Sequence, residues 1–297
     1  MVGRAQAEDL GLLFGLGLLF WGGAGSARVV RHVRYHPSLT PADFGLPYER
    51  ALLTAGDGVP IECWRIPHPR PAGALILLHG FSASKADLLD LAMDLHPAFP
   101  FDLLLVDFRA HGGSGGGMIS FGLREVLDVQ AALEALSGDP RMRGLPVGCY
   151  GVSMGGAVAL LAAARYPSIR AVAADSSYAD LGEAIARAHW LTYHIPRVPV
   201  GQAVLWGTEL RLGCRLDTLD PEGAIGRIAP RPVFLVHGGR DVGIPPEQGR
   251  RLYEAARDPR ELWVVPEAEH AACFYKAREE YVRRLGRFFS DAFLRAA

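Results

Sequence analysis

The sequence has 297 residues, of which 49% are hydrophobic and 21% are charged, and its formal net charge is −1. This balance is ordinary for a globular protein, and a single α/β domain commonly reaches this length. A chain with so little net charge offers no electrostatic case for binding nucleic acid. The cysteines lie far apart without CxxC spacing, which argues against a zinc or redox site and favours free thiols: Cys63, Cys149, Cys214 and Cys273.

The N-terminal segment differs from the rest of the chain. The run from Leu10 to Ala27 carries no charge and has about the minimum length for crossing a bilayer. Residues 1–27 are therefore predicted to be a single-pass membrane anchor, with a cleaved signal peptide as the main alternative. Gly25 and Ala27 suit a cleavage site, but the segment lacks a net positive start. A buried core helix is disfavoured by the glycines of the run.

The charges beside this segment predict an orientation. Arg28, Arg31 and Arg34 follow the apolar run, whereas Arg4 precedes it. Because Lys and Arg next to a membrane span tend to remain in the cytoplasm, we expect the folded domain to face the cytoplasm. Secretion after signal-peptide cleavage is the alternative. Residues 28–47 are predicted to be an irregular connector.

Residues 48–297 alternate between strand-like and helix-like patterns. The predicted strands are Arg50–Thr54, Ile61–Ile66, Ala74–Leu78, Asp102–Asp107, Val147–Gly151, Ala171–Asp175, Val233–His237 and Leu262–Val265. The predicted helices are Lys85–Leu95, Leu123–Leu136, Met154–Arg165, Glu247–Ala256 and Lys276–Phe293. This alternation predicts a mostly parallel eight-stranded sheet with helices on both faces, and the two first strands, with no helix between them, are expected to be antiparallel. The irregular region 176–230 is predicted to be a small cap over the site.

The sequence GVSMG places a serine between a strand and a helix. Ser153 follows the strand VGCY and precedes the helix MGGAVALLAAAR. A serine on such a sharp turn has an exposed hydroxyl, and small neighbours make the turn sterically possible. Gly-x-Ser-x-Gly alone is a weak signal in a glycine-rich chain, but this context strengthens it. Ser153 is therefore the candidate nucleophile, with a helix N-cap as the structural alternative.

A second turn follows the strand ALILL. Its sequence is HGF, from His79 to Phe81, and its glycine allows the backbone to pass close to a substrate. The backbone N–H groups of Phe81 and Met154 are predicted to bind the oxyanion that forms during acyl transfer. His79 is expected to stabilise the turn, because it precedes the serine in the chain.

A serine hydroxyl needs an imidazole to take its proton and a carboxylate to orient that imidazole. In this type of fold the chain order is serine, acid, histidine. His270, in the loop after the last predicted strand, is the candidate base. Asp241, after the strand VFLV, is the candidate acid, and Asp175, at the end of the preceding strand, is its competitor.

Six segments together resemble the α/β-hydrolase superfamily: HGFSASKADL, DFRAHGGSGG, GVSMGGA, ADSSYADL, VFLVHGGRD and EAEHAA. The sequence is most similar to a branch of membrane-anchored serine hydrolases related to monoglyceride lipases and serine aminopeptidases, over residues 45 to 295. The resemblance implies a triad of Ser153, Asp241 and His270 with Phe81 and Met154 as oxyanion donors. It does not define the substrate, since this fold supports many reactions.

Three classes of function follow from these residues. An esterase or lipase-like hydrolase of an acyl substrate, with lipids among the candidate substrates, is expected first. A peptidase, amidase or thioesterase with the same triad is second, and a binding module without activity is third. No cofactor and no metal are expected, because the glycine-rich HGGSGGG lacks the ending of a phosphate-binding loop and the cysteines are unpaired.

Overall fold

The computed structural model describes residues 20–194 and 197–295. Its centre is an eight-stranded sheet of order β1-β2-β4-β3-β5-β6-β7-β8. β2 is antiparallel to both β1 and β4, and the other neighbouring strands are parallel. The strands are β1 Glu49–Thr54, β2 Pro60–Ile66, β3 Gly73–Leu78, β4 Phe101–Val106, β5 Val147–Val152, β6 Ile169–Asp175, β7 Val233–Gly238 and β8 Arg260–Val265.

Helices cover both faces of this sheet. The described chain begins with a helix over 20–30, called α1. The others are α2 Leu89–Ala98, α3 Glu125–Gly138, α4 Met154–Arg165, α5 Leu181–Tyr193, α6 Gln202–Leu212, α7 Pro221–Ile225, α8 Pro246–Ala255, α9 Cys273–Lys276 and α10 Arg278–Leu294. The hydrophobic core on one face includes residues of α3, α4 and α8, and the core on the other face includes residues of α2, α9 and α10.

The central strand β3 contributes to both cores. Ile76 and Leu78 pack on the side of α4, while Leu75 and Leu77 pack on the side of α10. All four side chains have no exposed surface, as expected for a strand covered by helices on both sides. The predicted fold class is thereby confirmed, including the antiparallel start of the sheet.

Some element boundaries differ from prediction. The predicted helix Lys85–Leu95 begins as a 3₁₀ turn, Lys85–Leu88, and continues as α2. Ser84 caps this turn, because its hydroxyl accepts from the Ala86 N–H at 3.3 Å while its own N–H and O–H donate to Asp87. The predicted helix Lys276–Phe293 is divided at Ala277, whose backbone angles leave the helical region, with φ −135° and ψ 42°.

The N-terminal region has more structure than its sequence predicted. Of the predicted anchor, residues 1–19 lie outside the described residues, and 20–27 belong to α1, which continues through residue 30 into the predicted connector. The connector also contains a 3₁₀ turn, Pro41–Phe44. Among the residues described, no helix combines the length and apolarity that a bilayer span requires. The boundaries 1–27, 28–47 and 48–297 stay a prediction.

The segment predicted as a cap, 176–230, contains α5, α6 and α7 in the described part of the chain. α5 and α6 pack against each other, whereas the short α7 packs against α4 and α8. The segment leaves the sheet after β6 and returns at β7. Since β5 and β6 are parallel neighbours, it starts from the sheet edge where β5 ends.

Candidate active site

Ser153 lies on the turn that joins β5 to α4. Its backbone has φ 54° and ψ −117°, a conformation that costs a non-glycine residue about 1–3 kcal/mol. The surrounding backbone enforces it, because the Ser153 N–H donates to the Asp175 carbonyl at 2.7 Å. A Cβ on Gly151 would lie 2.1 Å from the Gly155 oxygen, and one on Gly155 would lie 2.4 Å from the Leu78 oxygen. Both glycines are therefore required for the turn.

His270 approaches Ser153 from the loop between β8 and α9. Its Nε2 lies 2.9 Å from Ser153 Oγ, so the hydroxyl donates to this nitrogen. Its Nδ1 lies 2.7 Å from Asp241 Oδ2, which fixes the proton of the neutral ring on Nδ1. The next residue, Ala271, has φ 56° and donates its N–H to Ser176 Oγ at 3.2 Å. These contacts hold the imidazole between the hydroxyl and the carboxylate.

Asp241 lies in the loop after β7 and its side chain is fully buried. While Oδ2 accepts from His270, Oδ1 accepts from the Ile244 N–H at 2.7 Å. His237 also stabilises this loop, because its Nε2 donates to the Ile244 carbonyl at 2.8 Å. The structure thus brings the three residues singled out in the sequence, Ser153, His270 and Asp241, into one hydrogen-bonded chain.

Asp175, the competing acid, has a different environment. Its Oδ1 accepts from Ser176 Oγ at 2.8 Å and its Oδ2 accepts from the Tyr281 hydroxyl at 2.7 Å. The Tyr281 hydroxyl also lies 2.8 Å from that of Tyr150. Burial raises the pKa of Asp175, while the Tyr281 and Ser176 hydroxyls act in the opposite direction. Asp175 therefore supports the turn beneath Ser153, and its carboxylate is hydrogen-bonded away from His270.

The turn after β3 passes close to Ser153. A Cβ on Gly80 would lie 3.5 Å from Ser153 Cβ. His79 holds this turn in place, since its Nδ1 donates to the Gly80 carbonyl at 2.7 Å and its Nε2 accepts from the Phe108 N–H at 3.1 Å. Burial lowers the pKa of His79, which favours the neutral ring. Phe81 and Met154 both border the cavity that contains Ser153.

Two cavities meet at Ser153. The first, about 300 Å³, lies toward α2 and α9 and includes Leu88, Leu91, Phe274 and Tyr275. The second, about 510 Å³, extends beneath α5 and includes Phe121, Tyr178, Leu181, Ile185, Leu191 and Tyr193. Ser153 and His270 border both cavities. A substrate can therefore extend in two directions from the hydroxyl, with the larger space on the side of α5.

The sequence did not indicate two parts of this larger cavity. Arg28 and Val29, from the end of α1, line it, although they were assigned to a connector. Leu181 and Ile185 line it from α5, and their spacing of four residues was the available signal. In the described part of the chain, no group of three or more His, Cys, Asp or Glu side chains is arranged to hold a metal, and all four cysteines are free.

A serine on a strained turn at the carboxyl edge of such a sheet, hydrogen-bonded to a histidine, is the arrangement of an α/β hydrolase. Comparison with known proteins agrees. A family model described as "Serine aminopeptidase, S33" matches residues 69–208. YqkD of Bacillus subtilis is 31% identical over 243 residues, which are 81% of this chain and 78% of YqkD. The chain belongs to the α/β-hydrolase superfamily.

Two further proteins are similar. The esterase Pf2001 of Pyrococcus furiosus superposes with a TM-score of 0.77 and 28% identity, over 89% of this chain and 98% of the esterase. A protein named as the membrane protein YNL320W of Saccharomyces cerevisiae is 25% identical over 235 residues, 78% of this chain and 76% of that protein.

Proposed function

We propose that this protein is a serine esterase, which cleaves an acyl ester through a covalent acyl-enzyme. Ser153 is the nucleophile, His270 the general base and Asp241 the residue that orients the imidazole. The observation that carries this proposal is the hydrogen-bonded chain, with 2.9 Å between Ser153 Oγ and His270 Nε2 and 2.7 Å between His270 Nδ1 and Asp241 Oδ2. Both distances allow direct proton transfer and orientation without rearrangement.

The reaction has two halves. Ser153 Oγ attacks the ester carbonyl while its proton moves to His270 Nε2, and Asp241 stabilises the imidazolium that forms. His270 then gives this proton to the departing alcohol, which leaves Ser153 acylated. In the second half, His270 takes a proton from a water molecule, whose oxygen attacks the acyl carbon. The acid is released and Ser153 regains its proton.

We assign the oxyanion to the backbone N–H groups of Phe81 and Met154. Met154 is the first residue of α4, where an N–H has no partner within the helix. Phe81 follows Gly80, whose backbone lies beside Ser153. Two such donors stabilise the negative oxygen of the tetrahedral intermediate more than the neutral carbonyl of the substrate.

An ester substrate with an apolar acyl group is supported by two observations. The larger cavity is lined mainly by apolar side chains, and its volume of about 510 Å³ accommodates a medium-sized acyl chain. The similarity to the Pyrococcus furiosus esterase points to the same bond type. We therefore propose that the acyl group occupies the larger cavity and that the alcohol group extends into the smaller one.

Hydrolysis of a peptide, amide or thioester bond is the second candidate. It is favoured by the description of the matching family model, which names a serine aminopeptidase. The same Ser153 chemistry serves all these bonds, because each has an acyl carbon and a leaving group that accepts a proton. A panel of acyl esters, acyl thioesters and aminoacyl amides, compared by kcat/KM, distinguishes between them.

We also propose that residues 1–27 anchor the protein in a membrane with the hydrolase domain on the cytoplasmic side. The support is the uncharged run from Leu10 to Ala27 and the excess of arginine after it. Protease treatment of intact spheroplasts checks the orientation. Loss of the hydrolase domain under external protease would show the opposite orientation. A soluble form that begins near Arg28 would show that the segment is a cleaved signal peptide and not an anchor.

The nucleophile is tested with a fluorophosphonate probe, which labels activated serines covalently. We expect the wild type to be labelled, and Ser153→Ala to be unlabelled and to lose about 10⁴-fold or more in turnover. Ser82→Ala is the matched control, because Ser82 is an exposed serine near the same site and also has a positive φ, 59°. Equal labelling of Ser153→Ala and wild type would refute the assignment.

A further inference from the structure

Large apolar side chains are exposed on the two long helices of the cap segment. Trp190, Leu191 and Tyr193 are 52%, 44% and 47% exposed at the end of α5. On α6, Trp206 is 63% exposed and Leu210 is 84% exposed, and their spacing of four residues places them on one side of the helix. We call these five side chains the cap face. α5 and α6 pack against each other, and exposed apolar side chains concentrated on neighbouring helices are a feature that marks interaction sites.

The helix α1 is joined to this region by close packing of small residues. A Cβ on Gly22 would lie 3.0 Å from the Ala203 oxygen, and one on Gly25 would lie 2.6 Å from the Val204 side chain. The Arg211 guanidinium donates to the Gly23 carbonyl and to Ser26 Oγ, at 3.0 Å in each case. The first helical residues described therefore lie directly against α6.

The chain that precedes α1 indicates what covers the cap face. Phe20 and Trp21 are 69% and 52% exposed at the start of the described chain. The residues before them, from Leu10 onward, are uncharged and apolar. In the proposed anchor this segment enters a lipid bilayer, and its junction with α6 would then bring the cap face to the bilayer surface. Exposed tryptophan and tyrosine suit this position, because their rings partition to the interface between lipid and water.

The charges around the cap face fit a lipid surface that carries negative charge. Among the residues that the structure describes, four arginines near this region form no ion pair with a carboxylate: Arg28, Arg187, Arg197 and Arg211. By contrast, Arg65, Arg109 and Arg141 on the sheet domain each contact two carboxylates. Arginines that face the surface of an anionic membrane contribute to its binding.

The larger cavity reaches the same surface. Leu191 and Tyr193 belong to the cap face and also line the cavity that contains Ser153. Arg28 lines it too, with its guanidinium 3.5 Å from the Tyr193 hydroxyl. A hydrophobic molecule that leaves the bilayer at the cap face therefore has a continuous path to the serine.

We propose that the cap face docks on an anionic lipid bilayer and that the substrate is an ester dissolved in that bilayer, which enters the larger cavity between Leu191, Tyr193 and Arg28. The docking surface is independent of the reaction, whereas the entry of an ester rests on the proposed function. Both parts are tested with the full chain in vesicles of phosphatidylcholine with about 30% phosphatidylglycerol, a content chosen for its negative surface.

The first experiment measures quenching of tryptophan fluorescence by phosphatidylcholine with brominated acyl chains. The five tryptophans of the chain are Trp21, Trp64, Trp190, Trp206 and Trp263. Bromine quenches only the rings that reach the bilayer, so we expect Trp206→Phe and Trp190→Phe to lower the quenched fraction of the emission. Trp64→Phe is the control and should raise this fraction, because Trp64 is buried in the sheet domain. A rise with Trp206→Phe and Trp190→Phe would refute docking.

The second experiment compares a water-soluble acetate ester with a long-chain ester carried in the vesicles. In Trp206→Asp/Leu210→Asp, we expect turnover of the vesicle-borne ester to fall about tenfold and that of the soluble ester to change less than about twofold. Leu52→Asp, on the edge strand β1, is the control for an exposed apolar residue. Equal loss on both esters would refute entry from the bilayer.

Two readouts distinguish docking on a bilayer from the ester chemistry and from self-association of the protein. Fluorophosphonate labelling of Ser153 in detergent reports the proposed chemistry, so its absence together with quenched Trp206 would leave docking intact and refute only the substrate. Molar mass in detergent, measured by light scattering, reports a second copy on the cap face. A dimer that Leu210→Asp converts to a monomer would show that a second copy of the protein, and not a bilayer, covers the cap face.

Discussion

The two sides of the larger cavity are constructed differently. On the side of the sheet, Ser153, His270 and Asp241 lie in turns whose backbone and carboxylates are tied by hydrogen bonds of 2.7–2.9 Å. On the side of the cap segment, apolar helix residues such as Ile185 and Leu191 form the wall, and several of them are exposed. In the proposed function, the reacting groups thus lie on a hydrogen-bonded scaffold, whereas the surface that would select the substrate belongs to a separate layer.

This difference predicts that changes on the sheet side affect the rate for every substrate. We expect Asp241→Asn to reduce turnover about 10⁴-fold with little change in stability, because an amide stabilises the wrong tautomer of His270. Steady-state kinetics and thermal unfolding measure the two effects.

Asp175→Asn is the matched control. Asp175 holds Tyr281 and Ser176, so its substitution should lower the unfolding temperature and leave most of the activity of the folded protein. A folded but inactive Asp175→Asn, beside an active Asp241→Asn, would reverse the assignment of the acid.

Changes on the cap side should alter selectivity rather than chemistry. Ala188 lines the larger cavity from α5. In Ala188→Trp, we expect kcat/KM for long acyl esters to fall about thirtyfold while the acetate ester stays within about twofold, since the indole fills space that only long chains use.

Ala186→Trp is the control for this substitution. Ala186 lies on the same helix but lines a different cavity, beside Arg187 and Gln248. It should leave the selectivity unchanged. If both variants lost acetate and long-chain activity equally, the cap helix would act on the rate itself, and the division into two layers would fail.

The smallest predicted effect concerns stability in acid on the sheet side. Burial lowers the pKa of His111 from 6.5 to about 3, so its folded form stays neutral where an unfolded chain is protonated. The contribution of the neutral His111 imidazole to stability is therefore fully present above pH 6.5 and is lost as the pH falls toward this lower pKa.

We expect His111→Asn to diminish the loss of unfolding free energy between pH 6.5 and 5.5 by about 1 kcal/mol. Asparagine keeps a donor for the Arg109 carbonyl, which the imidazole contacts at 2.9 Å. Urea unfolding at several pH values measures the slope of the unfolding free energy against pH. His36→Asn is the control for an exposed imidazole. An unchanged slope in His111→Asn would show that another group causes the loss.

The sequence predicted the sheet better than the layers around it. Runs such as ALILL are apolar at every position, a pattern that at this length favours a strand covered on both faces. Ser153 and His270 could be predicted for a related reason, because each follows a particular strand in the chain order of the sheet. The choice between Asp241 and Asp175 was harder. Asp175 ends β6 and Asp241 follows β7, and these two strands lie side by side. The hydrogen bonds distinguish the two carboxylates, because Asp241 accepts from His270 whereas Asp175 accepts from Tyr281 and Ser176.

The N-terminal helix could not be predicted as part of the cavity wall. Its glycines are unfavourable for an isolated helix in water, yet Gly22 and Gly25 allow it to approach α6 closely. Gly22 contacts Ala203, which lies 181 positions further along the chain, and local periodicity carries no information about such a contact. For the same reason, Val29 and Val30 gave no sign that they would be buried.

The packing of α1 on α6 has a consequence for maturation. Cleavage after Ala27, as a signal peptide would require, removes Gly22, Gly25 and Ser26 from their contacts with α6. Arg211 then loses both of its acceptors, and the surface around Gly207, against which Ser26 and Gly22 pack, becomes open to solvent. A processed form would thus differ on the surface of α6 that contacts α1, so cleavage of the N-terminus would change local structure as well as the location of the protein in the cell.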